Sequence, residues 1–360
     1  MLPYTPSTTK QHGKQRTCSI QNQRIRHMNV LTTPHQLVQS LPLTAQMKQI
    51  VSDARIAIEN VLHGRDKRLV VIVGPCSIHE EQSAIEYAQF LAKMINKYKD
   101  KLIIVMRTYF AKPRTTVGWK GFIYDPDLDG SCNVNDGLIH ARKLLLNILA
   151  LGVPCAMEHL DSIAPQYFGD ALSWAAIGAR TTESQVHREL ASGISTPVGF
   201  KNGTGGSIDL AIHAIQASRQ QQRFFGCNQH GQITAIETTG NPNCHIILRG
   251  SNHGPNYSPV HVEDTKQKLI ANQLPPNIFI DMSHGNSQKK HKNQITACTS
   301  VVDQIASGVT CIKGIMIESY LIEGKQDITH TPLVYGQSVT DACVNVEDTE
   351  RMLEDIFARI

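Results

Sequence analysis

Cys76, Arg107, Glu158, Arg180, Lys201, Arg249, Asp281 with His284, and Glu318 each stand at or just beyond the end of a short apolar, β-branched run. These side chains sort into two chemistries. Arg107, Lys112, Arg114, Arg180, Lys201 and Arg249 form a cationic set. Guanidinium forks hold phosphate and carboxylate bidentately, so six cations facing one point suit small substrates with several negative charges. Cys76, His284 and Glu318, with Asp341 further along, offer one thiolate, one imidazole and two carboxylates. That mixture accepts one divalent Mn, Fe, Co or Zn ion and does not favour Mg or Ca. Taken singly, each cation reads more readily as a surface ion-pair partner than as a ligand, and a core thiol and a satisfied loop histidine stand as the alternative for Cys76 and His284. The four donors are far apart and match no zinc-finger spacing, so spacing alone decides nothing.

Their weight comes from the elements that must position them. Apolar runs at 69–73, 102–106, 153–157, 174–177, 197–200, 245–248, 278–280 and 311–317 number eight. Between them lie stretches with helical periodicity, such as 83–98, 138–151, 184–191, 208–217 and 295–306, with Gly152, Gly193 and Gly308 as stop signals. Strand and helix alternating eight times is the signature of an α/β fold with a parallel (β/α)8 TIM barrel; a doubly wound open sheet is the runner-up. The working face of such a barrel is the carboxyl end of its strands, which is where both sets fall. Charges converging there cost desolvation energy that ligands offset.

Two stretches break the repeat. Residues 1–46 form an N-terminal arm, expected to serve subunit contact or regulation, ahead of a catalytic domain over 47–360 that opens with a helix over 47–62. Residues 218–243 hold two β-like runs, around 224–227 and 232–237, joined through Gly231. They read as a β-hairpin inserted before the sixth strand, with oligomer contact or regulation as its expected role.

The chain has 360 residues and a formal net charge of +4, and the excess sits at one end. Residues 1–52 hold Lys10, Lys14, Arg16, Arg24, Arg26 and Lys48 and no acid, leaving the remainder at −2. A nucleic-acid binder needs a basic face on its folded domain, so nucleic acid is not an expected partner. No apolar run approaches the ~20 residues of a membrane span. The acid-poor arm shares its composition with transit segments, though flexible termini and subunit contacts share it too. The nine cysteines are odd in number, scattered and without a C-x-x-C pair. That implies a reducing, cytoplasmic setting with no disulfide framework.

The blocks GPCSIHE (74–80), MRTYFAKPRTTVGWKG (106–121), GARTTESQVHRELASG (178–193), GFKNGT (199–204), HIILRG (245–250), DMSHGNS (281–287), GIMIES (314–319) and SVTDAC (338–343) occur in that order. From about residue 45 onward the chain resembles the class I 3-deoxy-D-arabino-heptulosonate 7-phosphate (DAHP) synthases, and the long KPRTTVGWKG stretch makes the resemblance specific. It implies condensation of phosphoenolpyruvate with erythrose 4-phosphate and water, the first step of the shikimate pathway to chorismate and the aromatic amino acids. It implies metal ligation by Cys76, His284, Glu318 and Asp341. Phosphoenolpyruvate would be held by Arg107, Lys112 and Lys201 about its carboxylate and by Arg180 and Arg249 about its phosphate, with Glu158 nearby. Lys112, Pro113, Arg114 and Thr115 would form the erythrose 4-phosphate site beside Asp341. In the implied reaction C3 of the enol attacks the aldehyde, water adds at C2, and C–O cleavage releases phosphate. Lys112 is the candidate proton donor, with Glu158 or His284 managing the water. Gly205 departs from relatives that carry Asp after GFKNGT.

The resemblance also implies a homodimer or homotetramer under feedback control by an aromatic amino acid. The inhibitor pocket would fall on Gln166, Ser195, Phe224, Gly226 and Ile236, closed by a neighbour's N-terminal arm. Gly226 is similar to tyrosine-sensitive forms, whereas phenylalanine-sensing relatives carry Ser there, so tyrosine is the expected inhibitor. The stretch from GQSVTDAC to EDTER is similar to tryptophan-sensitive forms. Two other functions remain in view. One is a condensing enzyme for phosphoenolpyruvate and another sugar phosphate, such as arabinose 5-phosphate, which KPRTTVGWKG argues against. The other is a non-catalytic aromatic amino-acid sensor, against which the intact Cys76, Lys112 and Asp341 argue.

Overall fold

A computed structural model describes residues 20–114 and 116–360 of the chain. Eight parallel strands close into a barrel in chain order: β1 (Leu69–Gly74), β2 (Leu102–Arg107), β3 (Cys155–Glu158), β4 (Trp174–Ile177), β5 (Val198–Lys201), β6 (Cys244–Leu248), β7 (Ile278–Asp281) and β8 (Ile312–Glu318). Closure is β8 returning to β1, in a register that runs from Val70 beside Gly314 to Gly74 beside Glu318. All six residues of β1 and of β2 are buried, as expected of strands covered by side chains inside and by helices outside. The expected parallel barrel is thus the observed one.

Inward-facing Val70, Ile72, Ile103, Val105, Trp174, Ile247, Phe279 and Met316 belong to one packed cluster. Trp174 and Phe279 stack with ring centroids 5.9 Å apart and planes 6° from parallel. Gly314 makes room for them, since a Cβ there would come 2.5 Å from Phe279 Cε2. A barrel interior is filled in layers, and two large rings in one layer need a residue with no side chain opposite.

Thr33 caps a helix over Pro34–Ser40 with a capping box closed by Gln36, and Thr44 caps the next, Ala45–Leu62. The compact unit containing the barrel starts at Thr32, so residues 32–46 pack with it. Residues 20–31 fall in a separate unit in which Ile20, Met28 and Val30 are exposed. Outer helices over Glu81–Tyr98, Val134–Ala150, Gln185–Gly193, Asp209–Ser218 and Asn293–Ala306 occupy the expected stretches. Pro259–Ala271 and Val346–Arg359 add two more. Before β6 stands an antiparallel hairpin of Arg223–Cys227 and Ile233–Glu237, pairing Phe224 with Ile236 and Gly226 with Thr234. Beyond β8 the chain makes a small two-stranded sheet of Ile322–Lys325 and Gln337–Ser338. It then returns to the barrel through paired backbone hydrogen bonds between Gly324 and Cys343. Among the described residues no helix is long and apolar enough to cross a membrane.

Candidate active site

The loop after β8 carries Asp341 back over the end of β1. Closure of β8 on β1 sets Glu318 beside Gly74, two residues before Cys76. One donor atom from each of Cys76, Glu318 and Asp341 lies within 4.8 Å of the others. Asp341 meets the thiol twice, through its Oδ2 at 3.5 Å and its backbone N–H at 3.4 Å. Lys112 Nζ donates to Cys76 Sγ at 2.9 Å and stands 3.6 Å from Asp341 Oδ2. His284, from the loop after β7, lies outside that three-residue group and faces it through Glu318. Its Nδ1 is 2.9 Å from Asp281 Oδ2 and 2.7 Å from Ser283 Oγ, and its Nε2 faces Glu318 Oε1 at 3.7 Å. A carboxylate behind Nδ1 keeps the proton there and leaves the Nε2 lone pair for a metal.

Electrostatics fit a divalent ion among these donors. Burial and the nearby Glu318 push the Cys76 thiol up to about 12, so without added positive charge the sulfur stays protonated. Burial would also raise Asp341, but Lys112 and His284 outweigh it and bring the carboxyl down to about 2. At Lys112 burial disfavours the charge, and the thiolate form of Cys76 together with Asp341 more than restores it. A thiol and two carboxylates, with an imidazole facing one of them, form a donor set that suits a cation.

Above the donors opens a cavity of about 440 Å³. Arg107, Lys112, Pro113, Arg114, Glu158, Arg180, Lys201, Arg249, His284, Glu318 and Asp341 all line it, while Cys76 lies buried beneath. Thr115 falls outside the described residues. Arg107 bridges the two sets. It pairs with Glu318 at 3.2 Å, rests 3.9 Å from the Tyr109 ring centroid, and keeps Nη1 without a hydrogen-bond partner. Lys201 pairs with Asp281 at 2.9 Å. Arg180 and Arg249 have no ion-pair partner among the described residues, and burial followed by repulsion from Arg180 lowers the Arg249 pKa against the pull of Asp281. An exposed Arg180 and a half-buried Arg249, neither in an ion pair among the described residues, offer an anion site.

Three things escaped the sequence reading. Asp281 was read only as a strand end, yet it joins the cationic set to the donor set. Buried Asn202, Asn256 and Asn286 tie the ends of β5, β6 and β7 together. Asn202 Oδ1 accepts from Arg249 N at 2.8 Å and from Asn256 Nδ2 at 3.2 Å, and Asn286 Oδ1 accepts from Asn256 N at 2.8 Å. Asn202 and Asn286 lie inside blocks already singled out, while nothing marks Asn256. Lys289 and Lys325 also line the cavity; Lys289 lies two residues past DMSHGNS, and Lys325 carries no signal.

Of the expected inhibitor residues, Phe224, Gly226 and Ile236 share one half-buried face of the hairpin. A Cβ on Gly226 would collide with Ile236 Cδ1 and touch Phe224 Cε2 at 3.7 Å. Gln166 lies on the short helix Pro165–Phe168, and Ser195 is exposed just after the helix Gln185–Gly193. The turn of the hairpin meets the segment after Thr32, where His35 N–H donates to Gln229 O at 2.7 Å.

A parallel barrel with a metal-donor cluster under an anion-binding cavity at its carboxyl-terminal mouth defines a class: barrel enzymes that act on small, multiply charged substrates with a divalent ion. Comparison with known proteins narrows it. Residues 42–354 match the model of the DAHP synthetase I family. The chain is 50% identical to the Trp-sensitive phospho-2-dehydro-3-deoxyheptonate aldolase of Escherichia coli (strain K12), over 94% of its length and 97% of that protein. It is 51% identical to the Phe-sensitive form from the same strain, over 92% and 95%. The solved structure of the aldolase from Francisella tularensis SCHU S4 superposes with a TM-score of 0.92 at 48% identity, covering 93% of this chain and 98% of that one. The chain belongs to the DAHP synthetase I family and is an enzyme of 3-deoxy-7-phosphoheptulonate synthase activity, in aromatic amino-acid biosynthesis.

Proposed function

We propose that this enzyme joins C3 of phosphoenolpyruvate to the aldehyde carbon of erythrose 4-phosphate, with one water, and releases the heptulosonate phosphate and inorganic phosphate. The observation that carries the reading is the unpaired Arg180 and Arg249 in the same cavity as Lys201, Arg107 and the donor cluster. Arg180 and Arg249 hold the phosphate of phosphoenolpyruvate, and Arg107, Lys112 and Lys201 hold its carboxylate. Pro113, Arg114 and Thr115 receive the sugar phosphate. Two anions brought together in a desolvated cavity repel by several kcal/mol, and this cationic lining offsets the repulsion while fixing their orientation.

Cys76, His284, Glu318 and Asp341 would hold one Mn, Fe, Co or Zn ion, which when bound would supply Lewis-acid polarisation of the aldehyde oxygen. Lys112 gives a proton to the oxygen that becomes the new hydroxyl. Glu158, close to where phosphate binds, takes a proton from the water that adds at C2. The C2–O bond to phosphorus-bearing oxygen then breaks and the electron pair leaves with phosphate. Mixing the two substrates with the enzyme should yield one inorganic phosphate per heptulosonate. The yield should be abolished by exhaustive chelation and restored by Mn, Fe or Co; full activity after chelation would refute the metal, and phosphate release without the erythrose phosphate would refute the condensation.

Tyrosine is the proposed feedback inhibitor, bound among Gln166, Ser195, Phe224, Gly226 and Ile236 in a homodimer or homotetramer whose neighbouring arm closes the pocket. Gly226 supports tyrosine over phenylalanine, because the missing side chain leaves room for a phenolic hydroxyl. A pocket built around a hydroxyl rejects the analogue that lacks it. A cytoplasmic setting fits the reduced state of the cysteines. Initial rates with each aromatic amino acid settle the inhibitor, and tyrosine insensitivity would overturn it.

A further inference from the structure

We infer that the barrel carries a second small-molecule site, on its amino-terminal face, for a monoanion with an apolar body such as an aryl carboxylate. A depression of about 830 Å³ opens there, larger than the catalytic cavity and within the ~300–1,000 Å³ usual for small ligands. It lies where the starts of β1 and β8 meet the end of the helix Asn293–Ala306 and the last turn of the helix Val346–Arg359. Val61, Leu69, Ile305 and Ile312 give it an apolar floor, and Lys313 stands on that floor. Conserved residues aside, the amino-terminal face of such a barrel ordinarily serves stability alone, so a cavity of this size with a charge in it calls for an occupant.

Lys313 breaks the pattern of its strand. Side chains alternate along a strand. In β8 Met316 belongs to the barrel interior and Gly314 faces Phe279, so Ile315 and Ile317 face the helices and are fully buried, as that layer demands. Lys313 stands where the register against β7 shifts between Ile312 and Gly314, and there the strand carries a half-buried ammonium that lines the depression. It forms no hydrogen bond or ion pair among the described residues, and burial pulls its pKa below the ordinary lysine value.

Of the other cations lining the depression, Lys67 is exposed at the rim and the rest hold partners. Arg68 is paired with Asp66 at 2.6 Å, Lys101 donates to the carbonyl oxygens of Phe357 and Ile360, and Arg359 pairs with Asp303 and Asp355. One desolvated cation without counter-charge above an apolar floor is complemented by one negative charge on an apolar body. A phosphate dianion would bring a second charge into a depression whose rim carries Asp66 and Asp100, which repel it. The site is separate from the catalytic one, because β8 rises ~20 Å between Ile312 and Glu318.

Isothermal titration calorimetry with 3-phenylpropionate tests this on the metal-loaded full chain. The probe should bind saturably to wild type, to Lys313→Arg and to Arg249→Ala, and at least tenfold more weakly to Lys313→Met. Inorganic phosphate and uncharged 3-phenylpropanol should each bind wild type at least tenfold more weakly than the probe. An unaltered melting temperature and catalytic rate in Lys313→Met show that it folds. No saturable binding to wild type, equal binding to Lys313→Met, or loss in Arg249→Ala, which would put the probe in the catalytic cavity, each overturns the proposal. No arm depends on turnover, so failure here is distinct from failure of the condensation reading.

Discussion

Asp281 Oδ2 stands 2.9 Å from His284 Nδ1, and the same oxygen lies 2.9 Å from Lys201 Nζ. One buried carboxylate therefore lies against both the imidazole proposed as a metal donor and the ammonium proposed to bind substrate. Burial would raise its pKa, but Lys201 and then His284 hold it well below the ordinary carboxylate range. Asp281→Asn preserves shape and removes the charge. Metal affinity should fall about 10- to 100-fold, the usual cost of losing such a partner, with unchanged far-UV circular dichroism. Competition titration against a chromophoric chelator measures it, and wild-type affinity would detach Asp281 from the orientation of His284.

Gly178 touches the catalytic site through what it lacks. Any Cβ there would overlap Glu158 Oε1, so Gly178→Ala must turn the Glu158 carboxylate out of place. Displacing the proposed general base by about 1 Å would cost on the order of 10²-fold. The expected result is a kcat fall of about that size with metal affinity intact. A variant as active as wild type would remove Glu158 from the proton chemistry.

In the hairpin, Gly226→Ser places a Cβ where Ile236 Cδ1 now lies. The far end of a flexible side chain must move, which reshapes the proposed inhibitor face without breaking the Gly226–Thr234 pairing. Tyrosine inhibition should weaken at least tenfold relative to phenylalanine inhibition, while the uninhibited rate stays the same. An unchanged order of inhibitor potency would put the specificity elsewhere.

His245 is held neutral by burial. Its Nε2 accepts from the Trp174 indole N–H at 3.2 Å and its Nδ1 faces the Asn243 carbonyl at 3.1 Å, and burial brings its pKa down to about 4. Unfolded histidine titrates near 6.5, so between pH 6.5 and 4 the unfolded chain binds the extra proton and stability falls as pH falls. At pH 5 the loss is about 2 kcal/mol from this residue. Nitrogen chemical shifts should show a neutral, Nδ1-protonated ring at pH 5, alongside a lower melting temperature than at pH 7. An imidazolium signal at pH 5 would contradict the assignment.

The barrel was legible because parallel strands are buried on both faces and read as unbroken apolar runs. Each of the eight expected runs overlaps a strand, from β1 to β8. The helix Pro259–Ala271 was harder to see, since only Val262, Thr265 and Leu269 of its residues after Pro259 are buried and its periodicity is faint. At the site, Cys76, Arg107, Glu158, Lys201 and Glu318 could be found from strand ends. Asp341 could not, because a loop returns it and a loop position has no period; only the SVTDAC block pointed to it. Asn256 had neither, being a polar residue in a polar loop whose burial follows from Asn202 and Asn286 closing over it.

Closure of β8 on β1 brings together residues made at very different times. Asp341 follows Cys76 by 265 positions, which is roughly 13–50 s of ribosomal synthesis. Until β8 and the return loop have emerged, a nascent chain offers a passing ion a lone thiol and, later, an isolated imidazole. For the metal site proposed above, only a fully extruded, fully closed barrel would bring the donors together, so binding of the ion would report completion of the chain.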